Sequence, residues 1–182
     1  MPILLGIHSY IYEVSEYCNN HPGEGILNIY LKRFHRKNTT DLFERYHNTN
    51  EPDELLIDAK NNNFKKTEHG ISFVCPFFFK RRIPKFFHYI NNDNLEKYLK
   101  TVFLNKKTDC FILRPSFKNN ENMLIITYYL KNENTINDKY IIKENDYWIG
   151  SLYYNNTVNY YKEVNVEKLI DKMMKDFEPI IQ

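Results

Sequence analysis

The sequence predicts an α+β protein, on three observations. Short apolar runs of strand character cluster between residues 110 and 149. Apolar residues recur at helical spacing on either side of that cluster. Finally, no apolar run approaches the roughly 18–20 residues of a membrane-spanning helix.

Taken in order, "ILLGIHSYIYEV" reads as two short strands around a turn at His8–Ser9. Ile26, Leu27, Tyr30, Leu31 and Phe34 then follow helical spacing. A second helix is expected to start at Thr39 or Thr40 and to carry Leu42, Phe43 and Tyr46. The polar stretch Asp58–Gly70 reads as a linker, placing a domain boundary between residues 62 and 63. Beyond it, "GISFVCPFFF" is apolar and extended, interrupted by Pro76. Asn91 and Asn92 can cap a helix with Leu95, Tyr98, Leu99, Val102 and Phe103 on one stripe. Strands are expected at Cys110–Arg114, Met123–Leu130 and Ile136–Lys143, with a shorter one at Tyr147–Ile149. A closing helix from Asn165 carries Val166, Leu169, Ile170, Met173, Met174 and Phe177. The second part therefore has one helix for each face of its sheet.

Charge and cysteine content bound the chemistry. The net charge is +2 with Lys+Arg 25 against Asp+Glu 23, too balanced for a general nucleic-acid binder. Cys18, Cys75 and Cys110 stand apart in apolar context with no CxxC spacing, as buried thiols of a reducing compartment do. The N-terminal apolar run has no basic lead and soon meets His8 and Glu13, so the expected location is cytoplasmic. "KRR" at Lys80–Arg82 reads as a solvated turn. No GxSxG, Walker-type loop or HExxH is present, so a non-catalytic protein is expected.

One residue breaks the pattern. Arg114 follows Phe111, Ile112 and Leu113 directly, and by strand parity shares a face with Ile112. Pro115, Ser116 and the polar loop "SFKNNEN" come next, a set of donors suited to an anion. The alternative is that Arg114 ends its strand and pairs with Asp109 or Glu121.

"FILRPS" resembles the FLVR motif of SH2 domains, the phosphotyrosine-binding modules. "FFHYINNDNLEKYL", "MLIITYYL", "DKYIIKENDYWIG" and "VNVEKLIDKMM" resemble, in order, that family's first helix, two following strands and closing helix, over roughly Gly70 to Gln182. The resemblance implies a domain at 63–182 with an SH2-like antiparallel sheet flanked by two helices. It implies a phosphotyrosine site with Arg114 as the two-pronged phosphate contact. Ser116, Lys118, Asn119 and Asn120 would add donors, Lys139 would stand near the family's third-strand histidine, and Tyr140 would support the ring. Asn92 stands where the family often has a first-helix arginine. The implied partner is a tyrosine-phosphorylated peptide or protein, with no nucleic acid and no membrane span. Together with Asn- and Lys-rich usage, the resemblance suggests a protein of a virus or other intracellular agent that engages host signalling.

A second likeness lies upstream. "IHSYIYEVSEYCNNHPGEG" and "TTDLFERYH" resemble the two ligand-bearing segments of cytochrome b5, in a truncated module at 1–62. It implies His21 and His47 as axial ligands of a haem iron, and electron transfer as the alternative function. Glu24 replaces the second glycine of the family's HPGG, and the family's opening strand and first helix do not precede the segment. The other reading is a haem-free scaffold, without cofactor. His8, His35, His69 and His88 show no ligand pairing and are expected at surface or turn positions.

Overall fold

A computed structural model describes residues 2–22, 31–62, 65–76, 82–90, 92–116 and 123–182, with the side chains of Cys75, Pro76 and Asn92 outside the description. The chain is α+β and packs as two compact units, Met1–Pro84 and Lys85–Gln182.

In the first unit, β1 (Leu4–Ile7) and β2 (Tyr10–Glu13) form a hairpin whose turn residues His8 and Ser9 both have positive φ, 48° and 67°. Two left-handed residues suit the right-handed twist of a two-residue hairpin. Helix α1 is Tyr17–Asn20, residues 31–34 are helical, α2 is Thr40–Tyr46 and α3 is Glu51–Asn61. Thr39 precedes α2 without capping it, because its hydroxyl donates to Gly6 O at 3.2 Å. Strand β3 (Ser72–Pro76) pairs antiparallel with β2, completing a three-stranded sheet.

Two expectations change here. The first four residues of the expected linker, Asp58–Asn61, are the last turn of helix α3, which begins seven residues earlier with Pro52 in a first turn rich in acid, suited to the positive end of the helix dipole. The units divide after Pro84 rather than between 62 and 63, since β3 spends its backbone hydrogen bonds on β2. Leu5, Ile7, Tyr12, Val14, Leu56, Ala59, Ile71 and Phe73 are core of this unit. Gly70 closes the approach to β3 at φ 80°, where an added Cβ would stand 2.8 Å from Glu16 Cβ.

His35 is tied into the same unit. Its Nδ1 accepts from Leu4 N at 3.1 Å, so the ring proton sits on Nε2, a buried atom with no partner among the described residues. Burial first, then the charges of Arg36 and the N-terminus, lower its pKa from 6.5 to about 4. The folded state resists a proton that the unfolded chain takes up near 6.5. Stability from this group is therefore fully present above pH 6.5 and lost progressively as pH falls toward 4. Thermal melts of the parent between pH 7 and 4 should show that loss. His35→Asn, which keeps an acceptor near Nδ1 and does not titrate, should flatten the slope.

The second unit begins with residues 86–88 alongside Leu113, through Leu113 N to Phe86 O (2.8 Å) and His88 N to Leu113 O (2.7 Å). A 3-10 turn at Asn92–Asn94 leads into α4 (Leu95–Phe103). The antiparallel strands β4 (Cys110–Pro115), β5 (Met123–Leu130), β6 (Thr135–Glu144), β7 (Tyr147–Tyr154) and β8 (Thr157–Glu163) follow in spatial order. Helix α5 (Val166–Met173) starts at Asn165, whose side chain accepts from Lys168 N at 3.1 Å. The two-residue β9 (Glu178–Pro179) then returns parallel to β4. Expected strand Tyr147–Ile149 is thus much longer, and the stretch before Asn165 is the added strand β8.

The alternation of side chains sorts two layers. Cys110 and Ile112 pack with Leu99 and Phe103 of α4, and the Phe103 and Tyr129 rings stack at 6.1 Å between centroids. The other face meets α5: a Cβ on Gly150 would come 2.7 Å from Met173 Sδ and 2.8 Å from Ile141 Cγ2. Trp148, Leu124, Ile126 and Ile141 are buried on that side. His88, expected at a surface or turn, is 1% exposed, with Nδ1 at 2.9 Å from Tyr98 Oη and Nε2 at 2.9 Å from Ile180 O. Two ring partners make that burial affordable.

Candidate functional site

Arg114 is the penultimate residue of β4 and is 4% exposed, among wholly apolar neighbours in its own strand. Its charge is met from the sheet itself. Register sets Arg114 opposite Ile125, and Ile125 opposite Tyr140. In the adjoining row Ile112 faces Thr127, which faces Asp138. Facing residues project to the same side, so Thr127 and Asp138 lie on the face of Arg114, the one that α4 covers near β4.

The contacts close a ring. Arg114 Nε donates to Thr127 Oγ1 at 2.8 Å, and Arg114 Nη2 donates to Asp138 Oδ2 at 2.6 Å. Thr127 Oγ1 in turn donates to Asp138 Oδ1 at 2.6 Å. Thr127 is fully buried, whereas the Asp138 side chain is 41% exposed. The carboxylate thus stands on the solvent side of a sunken guanidinium. A buried cation is tolerable only with such pairing, and a hydrogen-bonded hydroxyl between the partners holds the geometry.

The expected site residues divide into three groups. Ser116 follows β4 two residues after Arg114 and is 1% exposed, and Tyr140 stands in the cross-strand row of Arg114, two strands away across Ile125, and is 39% exposed. Lys139 is displaced from the site, because it faces Ile126, which faces Leu113, on the α5 side of the sheet. Lys118, Asn119 and Asn120 lie outside the described residues, as does the side chain of Asn92, whose backbone opens the 3-10 turn. The partner of Arg114 is neither Asp109 nor, among the described residues, any other acid than Asp138. Asp109 instead accepts from Lys131 N at 2.8 Å and from Tyr154 Oη at 3.0 Å, and the Tyr154 pKa is raised by burial and by that carboxylate.

Asp138 and Thr127 were missed in the sequence. A threonine inside "MLIITYYL" was the available signal: a polar residue in a buried run needs a partner, and a buried arginine was waiting for one.

In the first unit, the rings of His21 and His47 lie 5.9 Å apart between centroids and edge-on, with an interplanar angle of 68°. Tyr17 meets His21 at 5.3 Å and Phe43 meets His47 at 4.6 Å. His47 Nδ1 lies 2.8 Å from Phe43 O and donates to it, which fixes the tautomer and leaves Nε2 as the basic nitrogen. Burial first, and then the neighbouring His47, lower the His21 pKa, favouring the neutral imidazole that a metal requires. An ion held about 2 Å from a nitrogen of each ring sets the two centroids about 6 Å apart. The 5.9 Å between the two centroids is close to that spacing. No group of three or more His, Cys, Asp or Glu among the described residues is arranged to hold a metal ion by itself.

Burial raises the thiol pKa of both Cys18 and Cys110 to about 11, so neither is a ready nucleophile at neutral pH. No helix among the described residues is long and apolar enough to cross a membrane. Compared with known proteins, the chain matches no family model, no curated protein and no solved structure.

Proposed function

We propose that the second unit is a phosphotyrosine-binding module of the SH2 type, acting by capture of a tyrosine-phosphorylated segment of a signalling protein. The observation that carries this reading is Arg114: a guanidinium sunk near the end of β4, on the α4 side, two residues before the buried Ser116. A planar fork of N–H donors suits a phosphate, and Thr127 and Asp138 already aim that fork. Tyr140, in the row of Arg114, supplies an aromatic surface for the phenyl ring of the ligand. The order of helix, antiparallel strands, helix and a last short strand beside β4 supports the same reading.

Binding of phosphorylated and unphosphorylated tyrosine peptides, measured by calorimetry on the whole chain, tests it. The expected affinity for the phosphorylated peptide is micromolar, about −8 kcal/mol. Equal binding of the two peptides would sink the proposal.

A second reading concerns the first unit and rests on the His21–His47 spacing: these two imidazoles would hold a haem iron. Haem held by His21 and His47 would supply one-electron transfer. Phe43 and Tyr17 orient the two rings, and the Phe43 carbonyl sets the proton on His47 Nδ1. Haem titration of the whole chain should give a low-spin spectrum that His21→Ala/His47→Ala loses. A parent chain without a specific spectrum leaves the histidine pair as packing only.

A further inference from the structure

We infer that Asp138 is a built-in competitor for the anion at Arg114, and that it sets which ligands the site accepts. This rests on the phosphotyrosine reading and adds to it a residue that the resemblance does not contain.

The argument starts from charge. Asp138 Oδ2 holds Arg114 Nη2 at 2.6 Å, a charge-assisted contact, and Oδ1 accepts from Thr127, which itself accepts from Arg114 Nε. The site is thus neutral before any ligand arrives. Arg114 is 4% exposed while the Asp138 side chain is 41% exposed, so the carboxylate stands between the guanidinium and water.

A phosphate has two routes. It displaces the carboxylate from Nη2, or it binds other N–H groups of the fork with Asp138 still in place. In the first case the ligand must break an ion pair before making its own. In the second, a dianion sits within a few ångströms of a carboxylate, and like charges in a poorly solvated site repel strongly. Both routes weaken the phosphate relative to a site lacking the acid. Neutral and singly charged ligands suffer less, so Asp138 narrows the advantage of a phosphorylated over an unphosphorylated tyrosine.

The register explains why this acid belongs to the site. Asp138 shares a cross-strand row with Thr127 and Ile112, whereas Lys139, which would have added positive charge, projects to the α5 face. A single residue of β6 decides between an anion site reinforced by a cation and one opposed by an acid.

Titration of the whole chain with phenyl phosphate, followed by NMR, tests the inference. Asp138→Asn keeps an oxygen acceptor for Thr127 and removes the charge. It is expected to bind phenyl phosphate at least 10-fold more tightly than the parent, and Arg114→Ala is expected to bind it in neither background. If Asp138→Asn melts well below the parent, Asp138→Ser and the Arg114 Nε–Hε resonance of the parent supply the answer. That resonance is expected to move on saturation with phenyl phosphate. Parental binding that depends on Arg114, with no gain in either Asp138 variant, would overturn the role of Asp138 and leave the phosphotyrosine reading standing. Absence of binding in every variant would overturn both.

Discussion

Arg114→Ala is expected to lose at least 30-fold in affinity for a phosphotyrosine peptide, equivalent to about 2–5 kcal/mol for a desolvated charge partner. The same variant is expected to be less stable, because Thr127 and Asp138 lose the cation they jointly hold. Breaking a fully buried pair costs about 3–5 kcal/mol, and here the lower end applies, since Asp138 is half-exposed and its stranded carboxylate can be hydrated. The two effects must be separated. Arg114→Lys keeps the charge but not the planar fork, so it should retain more of the stability while still losing most of the binding. Urea denaturation and peptide titration on the same samples read both. An Arg114→Ala chain that binds the phosphorylated peptide like the parent would reduce Arg114 to a structural cation.

The largest expected loss of stability without a change at the site comes from Trp148→Ala. Trp148 is 1% exposed on the α5 face of β7, where register sets it between Lys143 and Glu163. Removing a buried indole costs about 3–5 kcal/mol in lost transfer energy and unfilled volume. That is a large part of the 5–15 kcal/mol, roughly, by which a domain is stable. The neighbouring wall cannot close the gap cheaply, because Gly150 already lets Met173 and Ile141 approach as near as a side-chain-free position allows. A urea midpoint close to that of the parent would show that the α5 layer contributes little to folding.

Much of the second unit was legible because its signals were local. The β4 and β5 runs were apolar segments broken only by Arg114 and Thr127, and the α5 stripe from Val166 to Phe177 is buried as its spacing implied. Asn165 also caps where an asparagine ahead of a periodic stripe should. Strand β8 was not legible, since "TVNYYKE" is largely exposed and its pattern carries no buried face. Helix α3 was obscured by its polar surface, only Leu56 and Ala59 being buried. The domain boundary was misread for a different reason: β3 pairs with β2 across almost the whole first unit, and such long-range pairing leaves no mark in the intervening sequence.

The site itself shows how one position decides a reading. Arg114 could be picked out by the apolar run it follows. Its surroundings could not, because Asp138, Lys139 and Tyr140 are all polar or amphipathic and blur the alternation along β6. A one-residue error in parity moves every side chain to the other face, exchanging Asp138 for Lys139 and reversing the charge beside Arg114.

The two margins of the larger sheet have a bearing on solubility. At one margin β9 is only two residues long, too short to template another strand. At the other, β8 is a full-length edge with Tyr160 and Val158 exposed, the kind of surface on which a neighbouring chain can add a strand. Its last residues are guarded. Lys162 lies over the Tyr147 ring at 4.2 Å, and Glu163 is ion-paired to Lys172 of α5. Those two charges discourage fibre-like stacking of copies along β8, and a chain neutralised at both would be the one to aggregate.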